Sequence, residues 1–412
     1  MSDPYLLRRV REDEFPAWVR TINNTYGEDR NDQQVAAHRL AVELDRTLAA
    51  LDGETIVGGA ALATRVLTVP GALVPTAGVD LVGVAPTHRR RGILTALMRR
   101  QLTDLHEAGV EPLAGLYAAE AGIYGRFGYG VAVSGARVQG EKRSMAFRAG
   151  VDLGSGTLRL VSRADARPLL EKVFEQVRVD AVGWLDRPSS AWEYRLDEDE
   201  GSRAGATTWR YVVHSEPGGA VTGYALYRLK AWTSEPNTVR VGEVVATTRP
   251  AAAALWRFLA DIDLHPRLEY EGALDDPLPH LLLDPRALTA TVADRVWLRL
   301  VDVDRALAAR RYATELDVVL DVTDAFCPWN AGRYRLRAAG DEVSCEPTTN
   351  DADLRLSAAE LGAAYLGGTT LAALGAAGRV EEVRADALAR ASLAFRGERE
   401  PFYPAGSEFP TC

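Results

Sequence analysis

The sequence predicts a mixed α/β fold in two successive units, followed by a third unit of α+β type. A strand pattern, a basic turn and a helix pattern follow one another between residues 72 and 108. The same order recurs weakly between residues 241 and 262, and from about residue 291 the strand and helix patterns separate. A chain of 412 residues is also too long for one hydrophobic core. We therefore expect units at 1–145, 146–290 and 291–412.

Composition and charge argue against several classes of partner. The chain has 48 Lys and Arg against 57 Asp and Glu, a formal net charge of −9, so its overall field repels nucleic acid and anionic lipid surfaces. No run of about 18 uncharged apolar residues occurs, and we expect no membrane span. The cysteines Cys327, Cys345 and Cys412 form no cluster with histidines, which predicts neither a disulfide framework nor a metal site. We expect a cytoplasmic protein.

The first predicted element is an amphipathic helix over residues 13–26. Asp13 is a candidate N-cap, and Pro16 falls in the first turn, where its missing N–H costs nothing. Helical spacing places five apolar residues on one face, which we expect to be buried. These residues are Phe15, Trp18, Val19, Ile22 and Tyr26.

Three strand patterns lead up to the basic turn. Runs at 46–51 and 55–67 flank the turn DGE at 52–54, which predicts a hairpin. A third apolar run covers 72–84. The basic turn RRRG at 89–92 comes next, and leucines at helical spacing continue beyond it. The order predicted here is strand, glycine-bearing basic turn, helix.

A turn of this kind at the start of a helix is suited to binding an anion. The N–H groups of the first helical turn have no partner within the helix, and the helix dipole favours negative charge there. Gly92 allows close approach of a ligand to the backbone, and the three arginines add positive charge. The sequence therefore predicts that a pyrophosphate group binds at residues 89–94, with His88 as a further candidate contact.

The remaining patterns complete the three units. The recurrence at 241–262 has no glycine where the first copy has Gly92, so we expect no phosphate site there. The acidic stretch 196–206 predicts a loop, and the aromatic residues of 401–412 predict a tail that docks on the protein. The other predicted strands and helices lie at 110–118, 122–128, 130–140, 295–302, 315–323, 332–338, 357–366 and 381–394.

Three segments carry a resemblance to a known family. The segment VGVAPTHRRRGIL at 82–94 resembles the acyl-CoA-binding motif of the GNAT superfamily of N-acetyltransferases, Arg/Gln-x-x-Gly-x-Gly/Ala, with Arg89 and Gly92 at its first and fourth places. The segments GIYGRFGYG at 122–130 and DPLPHLL at 276–282 resemble the Eis (enhanced intracellular survival) N-acetyltransferases. Together these similarities span nearly the whole chain.

The resemblance implies a domain organisation and a co-substrate. It implies a GNAT domain that binds acetyl-CoA, a GNAT-like domain without cofactor, and a C-terminal domain similar to sterol carrier proteins, assembled as a homohexamer and using no metal. The residues that it assigns to acetyl-CoA are Val82, Gly83, Val84, Arg90, Arg91, Gly92, Ile93, Leu94, Thr95, Ala119 and Glu120.

Acetyl transfer to an amine needs an acid and a base. A tyrosine suits the acid role, protonation of the leaving thiolate, because its pKa of about 10 is close to that of an alkyl thiol. The resemblance assigns the acid to Tyr124 and the base to the terminal carboxylate, which here belongs to Cys412. Family members commonly end on an aromatic residue that corresponds to Phe409. Asp80 and Glu120 are the alternative carboxylates.

The resemblance thus predicts an acetyl-CoA-dependent N-acetyltransferase acting on amines of cationic small molecules, with polyamine-like and aminoglycoside-like compounds as leading acceptors. The net charge of −9 is consistent with attraction of polyamines. One alternative is a lipid- or sterol-binding carrier in which the GNAT domains are a scaffold. A second, a DNA-binding regulator using the basic turn, is disfavoured by the acidity of the chain and the lack of a helix-turn-helix pattern.

Overall fold

The computed structural model describes residues 5–197, 203–231 and 236–404. Strands in these residues form three β-sheets. The strands are β1 (Leu6–Arg8), β2 (Thr47–Asp52), β3 (Thr55–Val69), β4 (Ala72–Val84), β5 (Leu113–Tyr117), β6 (Gly130–Val131), β7 (Ser134–Glu141), β8 (Thr157–Val161), β9 (Arg210–Ser215), β10 (Val221–Lys230), β11 (Thr238–Ala246), β12 (Arg267–Gly272), β13 (Leu288–Asp294), β14 (Val296–Leu300), β15 (Leu316–Thr323), β16 (Gly332–Ala339), β17 (Glu342–Pro347), β18 (Leu354–Ser357) and β19 (Glu381–Glu382).

Helices pack against the sheets and connect their strands. The helices are α1 (Phe15–Tyr26), α2 (Asp32–Ala41), α3 (Ile93–Ala108), α4 (Ala121–Tyr124), α5 (Arg163–Arg178), α6 (Ser189–Arg195), α7 (Arg249–Asp261), α8 (Leu278–Leu281), α9 (Val303–Ala308), α10 (Ala358–Ala364), α11 (Leu371–Ala376) and α12 (Ala387–Phe395). No helix among the described residues is both long enough and apolar enough to cross a membrane.

The strand order differs from the order along the chain in all three sheets. The first sheet has the order β1-β2-β3-β4-β5-β14-β6, the second β13-β7-β12-β11-β10-β9-β8, and the third β17-β16-β15-β18-β19. The parallel pairs are β4 with β5, β11 with β12, and β15 with β18. Mixed sheets with helices followed by an α+β unit agree with the predicted fold class.

The first two sheets exchange strands. The run expected at 130–140 divides into β6 in the first sheet and β7 in the second, and the N–H groups of Ala132 and Val133 both donate to the carbonyl of Val296 where the chain crosses. The strand expected at 295–302 forms as β14, but it lies in the first sheet between β5 and β6 rather than in the third unit, which corrects its placement. Each of these two sheets contains a strand from beyond the predicted boundaries of its unit. The unit boundaries at 145 and 290 therefore remain a proposal.

Helix α1 covers the first sheet, with two corrections to the predicted helix. Phe15, Trp18, Val19 and Ile22 are buried as expected, and the Trp18 indole donates to the carbonyl of Leu48 at 3.0 Å. The N-cap is Glu14 rather than Asp13, because a short 3-10 turn precedes the helix, and its side chain makes no capping hydrogen bond. Tyr26, at the last position, is 42% exposed instead of buried.

The C-terminal helix also begins later than its pattern predicts. Residues expected to open a helix at 381 form the short strand β19, and α12 begins at Ala387. Asp386, with a φ of 65°, lies in the left-handed region at its N-cap, which no helix continues through. The helical spacing predicted at 381–394 therefore corresponds to a helix only from Ala387 onward.

The second sheet repeats the local order of the first. Strand β4, helix α3 and parallel strand β5 have their counterparts in β11, α7 and β12, which confirms the recurrence seen at 241–262. In both units the helix connects two parallel strands that are neighbours in the sheet. The two copies differ at the turn before the helix, described below.

Candidate active site

A cleft opens in the first sheet where β4 and β5 diverge. The two strands pair only between Thr76–Gly78 and Leu113–Gly115, so the last six residues of β4 have β3 as their strand neighbour and no partner in β5. Helix α1 covers this end of β4 closely, because a Cβ at Gly83 would lie 2.8 Å from the Thr25 hydroxyl oxygen. Backbone groups of β4 thus line one wall of the cleft.

Strand β4 is irregular near the start of its six residues that have no partner in β5. The register with β3 shifts between Gly59 and Ala61, and Leu81 has a φ of 48°. The Leu81 N–H donates to the carboxylate of its neighbour Asp80 at 2.7 Å. A non-glycine residue in the left-handed region stores strain, and such residues concentrate at functional sites. The bulge re-aims the end of β4 into the cleft.

The basic turn lies at the mouth of the cleft, directly before α3. Gly92 has a φ of 88° and a Cβ there would meet nothing within 4 Å, so its backbone is open to a ligand. No side chain caps α3, which leaves the first-turn N–H groups from Ile93 onward available. Arg90 also has a positive φ, of 61°. The turn therefore offers unpaired donors, positive charge and space at one helix N-terminus.

Tyr124 closes the cleft from the β5 side. It ends helix α4, is 7% exposed, and packs edge-on against the rings of Phe127 and Tyr129 at centroid distances of 6.5 and 6.0 Å. The backbone curls below it, since the Tyr129 N–H donates to the Tyr124 carbonyl at 3.3 Å. Burial raises the pKa of Tyr129, which keeps its hydroxyl protonated beside Tyr124.

These walls enclose a cavity of about 770 Å³. Nearly every residue assigned from the resemblance lines it. The assigned residues in its wall are Val82, Gly83, Val84, Arg90, Gly92, Ile93, Leu94, Thr95, Ala119, Glu120 and Tyr124. Arg91 belongs to the turn and is exposed, but it does not line the cavity. The structure therefore brings together the strand, the turn and the tyrosine that are separated by some forty residues of sequence.

The sequence analysis assigned no site role to four of the other lining residues. These residues are Thr25, Tyr26, Ile123 and Arg126. Arg89 and His88, predicted as part of the pyrophosphate turn and as a further candidate contact, also line the cavity. The helical spacing of Tyr26 matched the buried face of α1, so the sequence predicted a core residue and not a residue of the cavity wall. His88 is held by two neighbours: its ring nitrogens lie 2.8 Å from the Thr87 hydroxyl and 3.2 Å from the Asp52 carboxylate.

The candidate bases lie in different surroundings. Cys412 and Phe409 fall outside the described residues. The tail leading to them is docked at its last described part: the Phe402 N–H donates to the carbonyl of Val182 at 3.1 Å, and Tyr403 is buried. Asp80 is buried and binds the backbone of its own bulge, whereas Glu120 is exposed and lines the cavity.

The turn of the second copy is closed. The Thr248 hydroxyl accepts a hydrogen bond from Ala251 N–H at the start of α7, and Pro250 in the first turn has no N–H to offer. A Cβ at Gly154 would lie 3.2 Å from the Pro250 ring, so another loop lies against this helix start. The N-terminus of α7 therefore lacks the free N–H groups and the open space that are present at the N-terminus of α3. Among the described residues no group of three or more His, Cys, Asp and Glu side chains is arranged to hold a metal ion.

Family models match three successive stretches of the chain. Two stretches match models described as acetyltransferase (GNAT) domains, at residues 7–132 and 183–300. A third model, described as a sterol carrier protein domain, matches residues 303–404. The second match includes β14, although that strand lies in the first sheet.

Relatives match along nearly the full length. An uncharacterized N-acetyltransferase of Streptomyces coelicolor is 41% identical over 411 residues, covering 97% of this chain and 98% of the relative. The N-acetyltransferase Eis of Mycobacterium tuberculosis is 35% identical over 399 residues, covering 94% and 96%. The crystal structure of Eis1 from Mycobacterium abscessus superposes with a TM-score of 0.84 at 35% identity, covering 98% of this chain and all of that one. Identity at this level over whole chains, with the site elements in place, shows that the chain belongs to the Eis family of GNAT N-acetyltransferases.

Proposed function

We propose that this enzyme transfers the acetyl group of acetyl-CoA to an amine of a cationic small molecule, aminoglycoside-like or polyamine-like. The observation that carries the proposal is the cavity of about 770 Å³ in which the open turn before α3 and the Tyr124 side chain line the same space. An anion anchor and a proton donor in one cavity are what acyl transfer from a phosphate-bearing thioester requires.

The residues present fit acetyl-CoA. Its pyrophosphate would lie on the turn at Gly92, where the backbone is open, with Arg90 beside it. Its pantetheine arm would follow the end of β4 at Val82 to Val84, where β4 has no β5 partner. Acetyl-CoA supplies the acetyl group and a thiolate leaving group. Because α7 in the second copy is capped and lined by proline, we expect one acetyl-CoA per chain.

Proton transfer would be divided between a tyrosine and a carboxylate. Tyr124 Oη would give its proton to the leaving sulfur, while a carboxylate would take a proton from the acceptor's ammonium group so that the neutral amine can attack. We propose the terminal carboxylate of Cys412 for the second role. The docking of Phe402 against Val182 supports this, since it anchors the start of a tail with eight further residues beyond Pro404. Glu120 in the cavity wall is the next choice, ahead of the buried Asp80.

The acceptor class rests on charge. A net charge of −9 attracts polyamines and aminoglycosides, which carry several ammonium groups. The lipid-carrier alternative is not favoured, because the chain is an N-acetyltransferase by family and its first GNAT unit retains an open turn and Tyr124. A homohexamer and a cytoplasmic location remain predictions.

The test is release of free thiol from acetyl-CoA by the purified full-length chain. The panel contains an aminoglycoside, a polyamine, a monoamine and a fully N-acetylated polyamine as the matched control. We expect turnover with the two polycations, far less with the monoamine, and none above background with the acetylated control. Thiol release that is independent of any amine, or absent from the whole panel, would contradict the proposal.

A further inference from the structure

One loop of the third unit lies against the first unit behind the candidate site. This loop, residues 324–330, follows β15 and contacts two first-unit elements that carry different parts of the site. It is braced internally: the Asp324 carboxylate accepts hydrogen bonds from the N–H groups of Phe326 and Cys327 at 3.2 and 2.9 Å. The Asn330 amide donates to Asp324 at 3.2 Å and to the Val301 carbonyl at 3.0 Å, just after β14. The loop is therefore a rigid element fastened to the first sheet.

Phe326 connects the loop to both site elements at once. Its ring lies 4.9 Å from the ring of Phe127, which follows Tyr124 by three residues and packs against it. On its other side the guanidinium of Arg99 lies over the ring at 4.5 Å, and Arg99 also donates to the Phe326 carbonyl at 3.2 Å. Arg99 belongs to α3, two helical turns after Gly92, so the same helix begins at the anion turn.

A second connection runs through β14. Asp324 pairs with Arg299, and both side chains are almost fully buried. The Arg299 guanidinium lies directly against the backbone of Gly128, where an added Cβ would overlap Nη1. Gly128 lies between Phe127 and Tyr129 in the turn that folds back under Tyr124. The loop thus contacts residues 124–129 in two ways, directly through Phe326 and indirectly through Arg299.

We propose that residues 324–330 are a positioning element of the acetyltransferase site, which sets the place of Tyr124 relative to helix α3 through Phe326 and the Asp324–Arg299 pair. This rests on the proposed function, because it takes Tyr124 as the acid and α3 as the anchor. The loop itself does not line the cavity, so it acts on the reaction only through the residues that it holds. A displacement of about 1 Å between reacting groups costs up to about a hundredfold in rate.

The central variant is Phe326→Ala, with Phe326→Leu as the conservative rescue and Ala325→Ser as the control, since Ala325 is exposed on the same loop. For Phe326→Ala we expect kcat to fall about tenfold to a hundredfold, while the calorimetric Kd for acetyl-CoA changes by less than about twofold, because the turn and β4 are not contacted by the loop. Phe326→Leu should regain most of kcat. Ala325→Ser should match the unaltered chain.

A second comparison separates positioning from loss of stability. Asp324→Asn and Glu243→Gln each remove the carboxylate of a buried arginine pair, but Glu243 pairs with Arg187 in the second unit. Turnover per folded molecule should fall in Asp324→Asn and stay unchanged in Glu243→Gln. Backbone hydrogen exchange at residues 124–130 should quicken in Phe326→Ala and Asp324→Asn alone.

Three results would overturn the proposal. The first is a kcat of Phe326→Ala within twofold of Ala325→Ser. The second is a fall in acetyl-CoA affinity as large as the fall in kcat. The third is unchanged hydrogen exchange at 124–130. The hydrogen-exchange measurement does not depend on turnover, so it tests the role of the loop even if the unaltered chain releases no thiol. Absence of thiol release would contradict the proposed function and not the role of the loop.

Discussion

The hydroxyl of Tyr26 donates a hydrogen bond of 2.6 Å to the carbonyl of Val82. This carbonyl lies in the part of β4 that has no β5 partner, where the pantetheine arm is proposed to pair. Tyr26 therefore satisfies, in the free enzyme, an acceptor that the co-substrate would use. Nothing in the sequence distinguished this tyrosine from the buried face of α1.

Tyr26→Phe should tighten binding of acetyl-CoA. The variant removes a hydroxyl that competes for the Val82 carbonyl, and a neutral hydrogen bond contributes about 0.5 to 1.5 kcal/mol, or roughly twofold to tenfold in affinity. Isothermal titration calorimetry of both proteins measures this directly. Weaker binding by Tyr26→Phe would mean that the hydroxyl contacts the ligand instead of competing with it.

Gly92→Glu should abolish acetyl-CoA binding while the fold is retained. The new side chain puts a carboxylate where the pyrophosphate is proposed to lie and strains a backbone with φ of 88°. Gly109→Glu is the matched control, because Gly109 ends the same helix with φ of 62° and a Cβ there would make only an ordinary contact, 3.9 Å from the Arg305 guanidinium. Calorimetry should give one site per unaltered chain, the same for Gly109→Glu and none for Gly92→Glu. Unchanged affinity in Gly92→Glu excludes this turn as the anchor.

Tyr124→Phe should lower kcat by about 10² to 10⁴, the usual contribution of a positioned proton donor, with little change in the Kd for acetyl-CoA. Tyr129→Phe is the control, because the buried Tyr129 hydroxyl makes no hydrogen bond to the described part of the chain. That variant loses no partner and should keep both activity and stability. Near-normal turnover in Tyr124→Phe would show that Tyr124 is not the acid and that its role is packing in the hydrophobic core.

The terminal carboxylate is tested by changing where the chain ends. Two glycines added after Cys412 should lower turnover strongly, because the charge moves away from the incoming ammonium. A chain ending at Phe409 should stay active if the carboxylate acts at the family position, and lose activity if the tail is built around Cys412. Full activity in both forms rules out a terminal base and directs mutagenesis to Glu120 and Asp80.

The buried pair of Arg187 and Glu243 should make stability depend on pH. Two parallel hydrogen bonds of 3.1 Å join them. Burial alone would raise the pKa of Glu243, but the charges of Arg187 and Arg195 outweigh it and hold the pKa below its ordinary value. The stabilisation is therefore present above the ordinary carboxyl pKa and is lost as pH falls through the lower folded-state value.

Glu243→Gln leaves a buried arginine charge without its partner and should cost about 3 to 5 kcal/mol in the free energy of unfolding. Urea unfolding between neutral and acid pH measures both effects. The difference between the unaltered chain and the variant should shrink as pH falls. A constant difference across that range would show that the carboxylate has the same pKa in the folded and unfolded chain.

Local patterns predicted the local elements well. The run at 72–84 is β4 to the residue, and the leucine spacing after Gly92 is α3, because period and turn chemistry are properties of neighbouring residues. Helix α5, by contrast, was not predicted. The proposed anion-binding role of the turn was predicted from the sequence pattern and that of Tyr124 from resemblance to a family, and the structure adds that both line one cavity.

By itself, then, the sequence determined the strand, turn and helix of the proposed anion site, and the acidity of the whole chain. Only the tertiary structure decided that β14 completes the first sheet, that Tyr26 reaches Val82, and that Phe326 packs on Phe127. Phe326 and Phe127 are about two hundred residues apart in sequence. Hydrogen bonds between strands and ring contacts depend on which surfaces meet when the chain folds, and periodicity within a segment carries no information about its distant partner.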